Sequence, residues 1–257
     1  MLQKINVKLS CTAAGNITGH GGSELHGLLF KVVRAVDEKI ARSLHDSDPK
    51  PFAIGPLRGR GSLKEGLMTL EKGSKYSFSL SALDKGMTDL LPEIEKYLQS
   101  EELRLGEASF RLEETKPLFK KPMPYFKLMA INAEEDLKVS FDSLTCFRRD
   151  GKLHLFPLPE LILPGLVKRC EHFSGFTLPR LKPEAVLVLQ HNIKTGLAGF
   201  TKYNLVGFKG FCKYGFTPGT LELDRWAVTL LFNFAAIAGA GYKTTMGMGQ
   251  VRVHSNR

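Results

Sequence analysis

Between Gly239 and Gly249 the chain reads Gly239-Ala240-Gly241-Tyr242-Lys243-Thr244-Thr245-Met246-Gly247-Met248-Gly249, two Gly-x-Gly pairs that bracket a lysine and two threonines. Glycine has no Cβ, so such a loop lets main-chain N–H groups turn outward and lets a bulky anion approach the backbone. Lys243, Thr244 and Thr245 add side-chain donors suited to phosphate. The spacing predicts a resting place for a sugar-phosphate backbone. A helix C-cap at Gly239 and a tight turn into a strand would by themselves account for about half of these glycines.

A second stretch, Lys202 to Phe216, interleaves Lys202, Lys209 and Lys213 with Tyr203, Phe208, Phe211 and Tyr214 among glycines. On a β-hairpin, rings of this kind can stack on bases while lysines follow phosphates. An ordinary amphipathic hairpin with Phe208 and Phe211 in its core explains the aromatics equally well, but not the lysines. Arg58 and Arg60, in a glycine-rich connection, are further cationic candidates for an RNA backbone. A nucleotide-dependent enzyme is disfavoured: phosphate loops of that class follow a strand and open a helix, whereas this loop closes a helix and opens a strand.

The chain of 257 residues carries 36 Lys and Arg against 26 Asp and Glu, a net charge of +10, which points to a polyanionic partner. No apolar run approaches the roughly 20 residues of a membrane span, and a cytoplasmic protein with no membrane partner is expected. Cys11, Cys146, Cys170 and Cys212 are scattered without Cys-x-x-Cys or histidines at ligand spacing, as buried thiols of a reducing compartment would be. No cofactor and no protein-built metal site are expected.

The elements that must position these residues follow from periodicity. Ile5, Val7 and Leu9 alternate with Lys4, Asn6 and Lys8 as a half-buried strand, and a glycine-rich turn spans Gly15 to Gly22. Ser23 stands where an N-cap would, before one helix with Leu25, Leu28, Leu29, Val32, Val36, Ile40 and Leu44 inward, ending at His45-Asp46-Ser47-Asp48-Pro49. An edge strand at Pro51–Leu57, a strand at Tyr76–Leu80, a helix at Met87–Leu98 and a closing strand at Leu103–Leu112 complete a ferredoxin-like order. The Pro/Lys-rich stretch Lys116–Pro124 predicts a boundary between domains at 1–116 and 125–257. Strands at Leu137–Phe141, Ala185–His191, Leu205–Tyr214 and Val251–His254, with helices at Pro159–Phe173 and Leu223–Ala238, repeat the order. The expected fold is α+β: two tandem ferredoxin-like (RRM-like) domains with antiparallel sheets, a basic groove between them and the glycine-rich loop near the C-terminus.

Taken together, the glycine loop with its preceding apolar helix, the first helix ending in Leu44-His45-Asp46 before Lys50-Pro51-Phe52, and the Phe208-Lys209-Gly210 hairpin resemble a known family. It is the CRISPR-associated endoribonucleases that cut precursor CRISPR RNA within each repeat, the sixth Cas family of the repeat-associated mysterious protein (RAMP) superfamily. The resemblance implies metal-independent cleavage in which the RNA's 2′-hydroxyl attacks the adjacent phosphorus, leaving a 2′,3′-cyclic phosphate and a 5′-hydroxyl. It implies CRISPR repeat RNA in the precursor transcript as partner, and leaves room for other Cas proteins and for a homodimer. Such chemistry needs a base, an acid and positive charge on the phosphorane. His45 matches the family's frequent catalytic histidine, and Lys50 the lysine that stabilises charge. The family often places a tyrosine on the first helix, where this chain has Phe30-Lys31. His26 and Lys31 are the candidates for the second proton-transfer role, with His20 a third. A non-catalytic RAMP-type RNA-binding subunit is the rival reading.

Overall fold

Ile5, Val7, Leu9 and Cys11 are buried while Asn6 and Lys8 are exposed, and this period-two pattern makes β1 (Gln3–Ala13) the central strand of an antiparallel sheet. The structure, a computed structural model, describes residues 1–254. After β1 come β2 (Gly15–Thr18), α1 (Gly22–Val36), α2 (Glu38–Asp46), β3 (Phe52–Ile54), β4 (Arg58–Gly59), β5 (Gly61–Lys64) and β6 (Leu67–Leu70). The half closes with β7 (Lys75–Ala82), α3 (Lys85–Ser100), β8 (Leu103–Leu105) and β9 (Ala108–Pro117). The sheet runs β3-β7-β1-β9-β8, with β4 beside β7, and β2, β6 and β5 form a separate three-stranded sheet. Leu25, Leu29 and Val32 of α1 and Ile94 and Leu98 of α3 share one core with Val7, Phe78 and Leu80. Each such side chain contributes about 1.5–3 kcal/mol by leaving water.

Several expectations for this half are corrected. The long first helix is two helices, because Asp37 is extended (φ −158°, ψ 118°) and its carboxylate accepts from the N–H groups of Lys39 (2.7 Å) and Ile40 (3.1 Å). An aspartate N-cap of this kind stabilises a new start by about 1 kcal/mol. Val36, the last residue of α1, is exposed, and the break shifts the helical phase beyond it, so Ile40 is exposed and Ala41 and Leu44 are buried. Ser23 lies inside α1, whose cap is Gly21 in the left-handed region. Part of the glycine-rich turn is the strand β2, and the single closing strand is a hairpin that turns at Gly106 and Glu107.

The second half repeats the plan: α4 (Tyr125–Met129), β10 (Leu137–Thr145), β11 (Phe147–Arg149), β12 (Lys152–His154), α5 (Pro159–Ser174), β13 (Val186–Phe200), β14 (Tyr203–Phe216), α6 (Glu222–Ala238) and β15 (Val251–His254). Its sheet order is β13-β14-β10-β15. Counting only the four strands that frame two helices, both halves read second, third, first, fourth, the ferredoxin-like arrangement. The apolar core includes Phe141, Phe208, Tyr214 and Phe232, with Tyr214 stacked on Phe232 at 4.8 Å between ring centroids.

The chain divides into two units: Met1–Pro122 with Leu197–Leu205 and Thr245–Gly247, and Met123–Gly196 with Val206–Thr244 and the residues from Met248 on. The sequence reading placed all of 125–257 in one domain. The tip of the β13–β14 hairpin groups instead with the first unit, where the Gly199 backbone lies against Gly19, and the tip of the glycine loop does so where the Gly247 N–H donates to the Ile54 carbonyl at 3.1 Å.

Candidate active site and nucleic-acid interface

In the first unit, α1 begins against the tip of the glycine loop. A Cβ on Gly22 would stand 2.1 Å from the Met246 carbonyl oxygen, so only glycine permits this approach. One turn on, Nδ1 of His26 lies 3.1 Å from the Thr245 carbonyl oxygen. A carbonyl only accepts, so Nδ1 carries the proton and, in the neutral ring, Nε2 is the basic nitrogen.

His26 and Phe30 are four residues apart on α1 and share a face, with ring centroids 4.9 Å apart. The Phe30 ring also meets His45 edge-on at 5.9 Å and Phe52 at 6.0 Å. Both imidazoles therefore touch one aromatic ring, held from beneath by β3. His45 is exposed in the last turn of α2, with Nδ1 3.3 Å from the Asp46 carboxylate. Lys50 donates to the carbonyls of His45 and, at 2.7 Å, Ser47, which places its ammonium at the negative end of α2 beside His45. Lys31 is exposed on α1 and, with Gly27, Phe30, Arg34 and Ala35, lines an open depression of about 370 Å³. His26, His45 and Lys31 thus lie around Phe30, and Lys50 stands at the end of α2 beside His45. His20 is exposed, and its carbonyl accepts from the Leu57 N–H at 2.9 Å. Among the described residues, no group of three or more His, Cys, Asp or Glu is arranged to hold a metal.

The glycine loop is built differently from its sequence reading. Gly239, Gly241, Gly247 and Gly249 all have positive φ, between 72° and 87°, and this accounts for all four. Their amides do not all face outward: those of Gly239, Gly247 and Gly249 donate to Ala235, Ile54 and Leu144, at 2.8, 3.1 and 3.0 Å. Thr244 is buried. Gly241 is exposed, and Tyr242, Lys243 and Thr245 are partly so, which leaves these residues as the loop's surface for a phosphate.

On β14, Phe208 is buried against Phe141 at 5.0 Å, as the amphipathic-hairpin reading requires, whereas Phe211 stands on the opposite face beneath the Lys138 ammonium, 4.5 Å from its centroid. Lys209 is exposed; Lys213 pairs with Asp136 at 2.9 Å; Lys202 is exposed at the hairpin tip in the first unit. Arg58 lines an open depression on the outer face of the first sheet with Lys8 and Lys75, and the Arg60 guanidinium lies 3.7 Å from Glu71. The structure gathers the catalytic candidates but spreads the cationic ones over both units.

Residues 139–251 match the family model described as CRISPR-associated endoribonuclease Cas6. Among solved structures, a Cas6 product complex is 27% identical, covers 99% of this chain and 100% of its own, and superposes with a TM-score of 0.79. A second Cas6 product complex is 22% identical with a TM-score of 0.82, covering 99% of each chain. Thermus thermophilus Cas6 is 21% identical with a TM-score of 0.72, covering 99% of this chain and 98% of its own. The second half of this chain matches the Cas6 family model. No match was found among curated proteins.

Sequence reasoning named His26, His45, Lys31 and Lys50 but passed over Phe30 as the common contact of the two histidines. The four-residue spacing of His26 and Phe30 carries part of that signal. Arg169 and Tyr242 were also missed: Nη1 and Nη2 of Arg169 donate to the Gly239 and Ala238 carbonyls at 3.1 and 2.9 Å, closing the end of α6. Only long-range packing reveals such contacts.

Proposed function

We propose that this chain binds CRISPR repeat RNA in the precursor transcript and cuts it without a metal, by attack of the RNA's own 2′-hydroxyl. The 2′-oxygen forms a bond to the adjacent phosphorus while the bond from phosphorus to the 5′-oxygen breaks, leaving a 2′,3′-cyclic phosphate and a 5′-hydroxyl. Two proton transfers balance the step. His26, with Nδ1–H donated to Thr245, takes the 2′-hydroxyl proton at Nε2, and His45 gives a proton to the departing 5′-oxygen. Lys50 and Lys31 supply positive charge where the phosphorane develops it, the kind of preorganised electrostatics that often dominates catalysis. Phe30 stands where the family often has a tyrosine, and a phenyl ring transfers no proton, so both transfers fall to the imidazoles that touch it.

The single observation that carries this reading is the pair of histidines on one ring, with the tautomer of His26 set by a carbonyl of the glycine loop. Relatives described as product and substrate-mimic complexes support an RNA ligand here too. No described helix is long and apolar enough to cross a membrane, and we place the reaction in the cytoplasm. The test is cleavage of a labelled repeat RNA in EDTA beside a substrate with one 2′-deoxy nucleotide on the 5′ side of the cut. Cleavage of the first alone is expected. Tight binding with no cleavage of either would make the chain an RNA-binding RAMP subunit, and cleavage of the deoxy substrate would refute attack by the 2′-oxygen.

A further inference from the structure

The second unit holds a polar constellation that the cleavage step does not use. A cavity of about 180 Å³ opens between α5, β11 and the start of the glycine loop, with Phe147 and Leu166 among its apolar lining and Arg148, Arg169 and Tyr242 as its polar lining. Cofactor pockets ordinarily measure roughly 300–1,000 Å³, so this one admits part of a ligand only.

Arg169 is the unusual member. Its guanidinium is buried, which holds its pKa down to about 10, and its hydrogen-bond partners are the two carbonyls at the end of α6. Among the described residues no carboxylate pairs with it. A guanidinium has five N–H donors; two bond these carbonyls, Tyr125 lies within electrostatic reach, and Arg169 lines the cavity, where a further acceptor can meet it. At the mouth, the Arg148 guanidinium lies 5.7 Å from the centroid of the Tyr242 ring and reaches its hydroxyl at 3.5 Å. The ring is held in place because the Tyr242 N–H donates to the Cys146 carbonyl at 2.8 Å.

An apolar slot with one aromatic face, one guanidinium held by two carbonyls and a second, exposed guanidinium at its mouth suits a flat heterocycle that carries carbonyl oxygens. Uracil, guanine and cytosine present a carbonyl acceptor, and adenine does not. We infer that this pocket takes one unpaired, carbonyl-bearing base of the bound RNA, its face on Tyr242 and its carbonyl edge on Arg169. The inference rests on the proposed RNA-binding function and adds a base-selective contact to it.

Gly165 lines the cavity on an exposed turn of α5, and a Cβ there would meet nothing within 4 Å. Leucine at this position fills the opening and favours the helix. The experiment is an abasic scan through the unpaired positions of a repeat RNA, with affinities measured for the full-length wild-type protein and Gly165→Leu. For wild type, one abasic position weakens binding by about ten-fold, as does adenine at that position, whereas uracil, guanine or cytosine is tolerated. Gly165→Leu binds the intact RNA about ten-fold more weakly and is indifferent to the abasic site. If Gly165→Leu fails to fold, Tyr242→Leu, which removes the stacking face, is read on the same scan. A variant that binds the intact RNA as wild type does and keeps its abasic profile overturns the pocket and leaves the RNA-binding function standing. Saturable UMP or GMP binding with a flat wild-type scan would make it a mononucleotide site and also overturn it. A wild-type protein with no affinity for repeat RNA refutes the function, and the pocket's role with it.

Discussion

The outer faces of the two sheets rest on the same strand order and present different chemistry. On the first, Lys8 and Lys75 are paired with Glu114 and Glu113, so much of the basic charge is answered within the face. On the second, Lys138 lies over the Phe211 ring, Lys209 has no carboxylate partner among the described residues, and His254 accompanies Ser140 at 2.7 Å. Carboxylates are present there as well, Asp136 on Lys213 and Asp142 on Arg252, yet an aromatic ring and free lysine charge sit side by side. The first unit keeps its reactive groups elsewhere, on α1 and α2 around Phe30. Two copies of one architecture thus present different side chains, which illustrates that strand order alone does not determine surface chemistry.

The comparison breaks most visibly at the histidines. His26→Ala is expected to slow cleavage by about 10²–10⁴-fold, the usual worth of a positioned acid or base, with little change in affinity; single-turnover rates and titrations with labelled repeat RNA measure both. Loss of binding with unchanged chemistry would move His26 into the RNA-holding surface. Next in size, Phe211→Ala should weaken RNA binding by about ten-fold through lost stacking, whereas Lys8→Ala on the first sheet should change it by less than about two-fold. Equal effects of the two substitutions would erase the distinction between the faces.

Lys243→Ala sharpens the reading of the glycine loop. It should weaken binding uniformly across RNA sequences and lower the slope of log affinity against log salt by about one. An unchanged slope would place the loop away from the phosphates.

A smaller effect separates the units by stability. Burial pushes the thiols of Cys146 and Cys212 up to about 11 and that of Cys170 up to about 12, all in the second unit. Their folded values exceed the unfolded one, so the stability they confer is complete below pH 9 and is lost as pH rises from there toward 11 and 12. Denaturant melts at pH 8 and pH 10.5 should show that decline, and replacing the three cysteines by alanine should flatten it. An unaltered slope after that replacement would contradict the assignment.

Much of the framework was legible in the sequence because one face of each element is apolar. The alternation through Ile5, Val7 and Leu9 and the helical spacing from Leu25 to Val32 translate directly into burial. The break at Asp37 was not, since a carboxylate that caps the next two amides competes with a helical pattern that otherwise runs on. The glycine loop was visible as glycine and misread as amide, because positive φ and inward hydrogen bonds leave the same letters as an open anion nest. His26 and Thr245 are separated by 219 positions, and no local pattern announces that bond. The candidate residues on α1 and α2 were therefore legible one by one, but the contact of His26 with the loop required the fold.

The most direct measurement is the single-turnover cleavage rate of His45→Ala in EDTA, with its dissociation constant for repeat RNA measured on the same preparation. A rate reduced by at least about 100-fold at an affinity within about two-fold of wild type is the predicted result, because the interface is dominated by phosphates and loses one side chain. A variant that still cuts at the wild-type rate would contradict the assignment of chemistry to the histidines around Phe30.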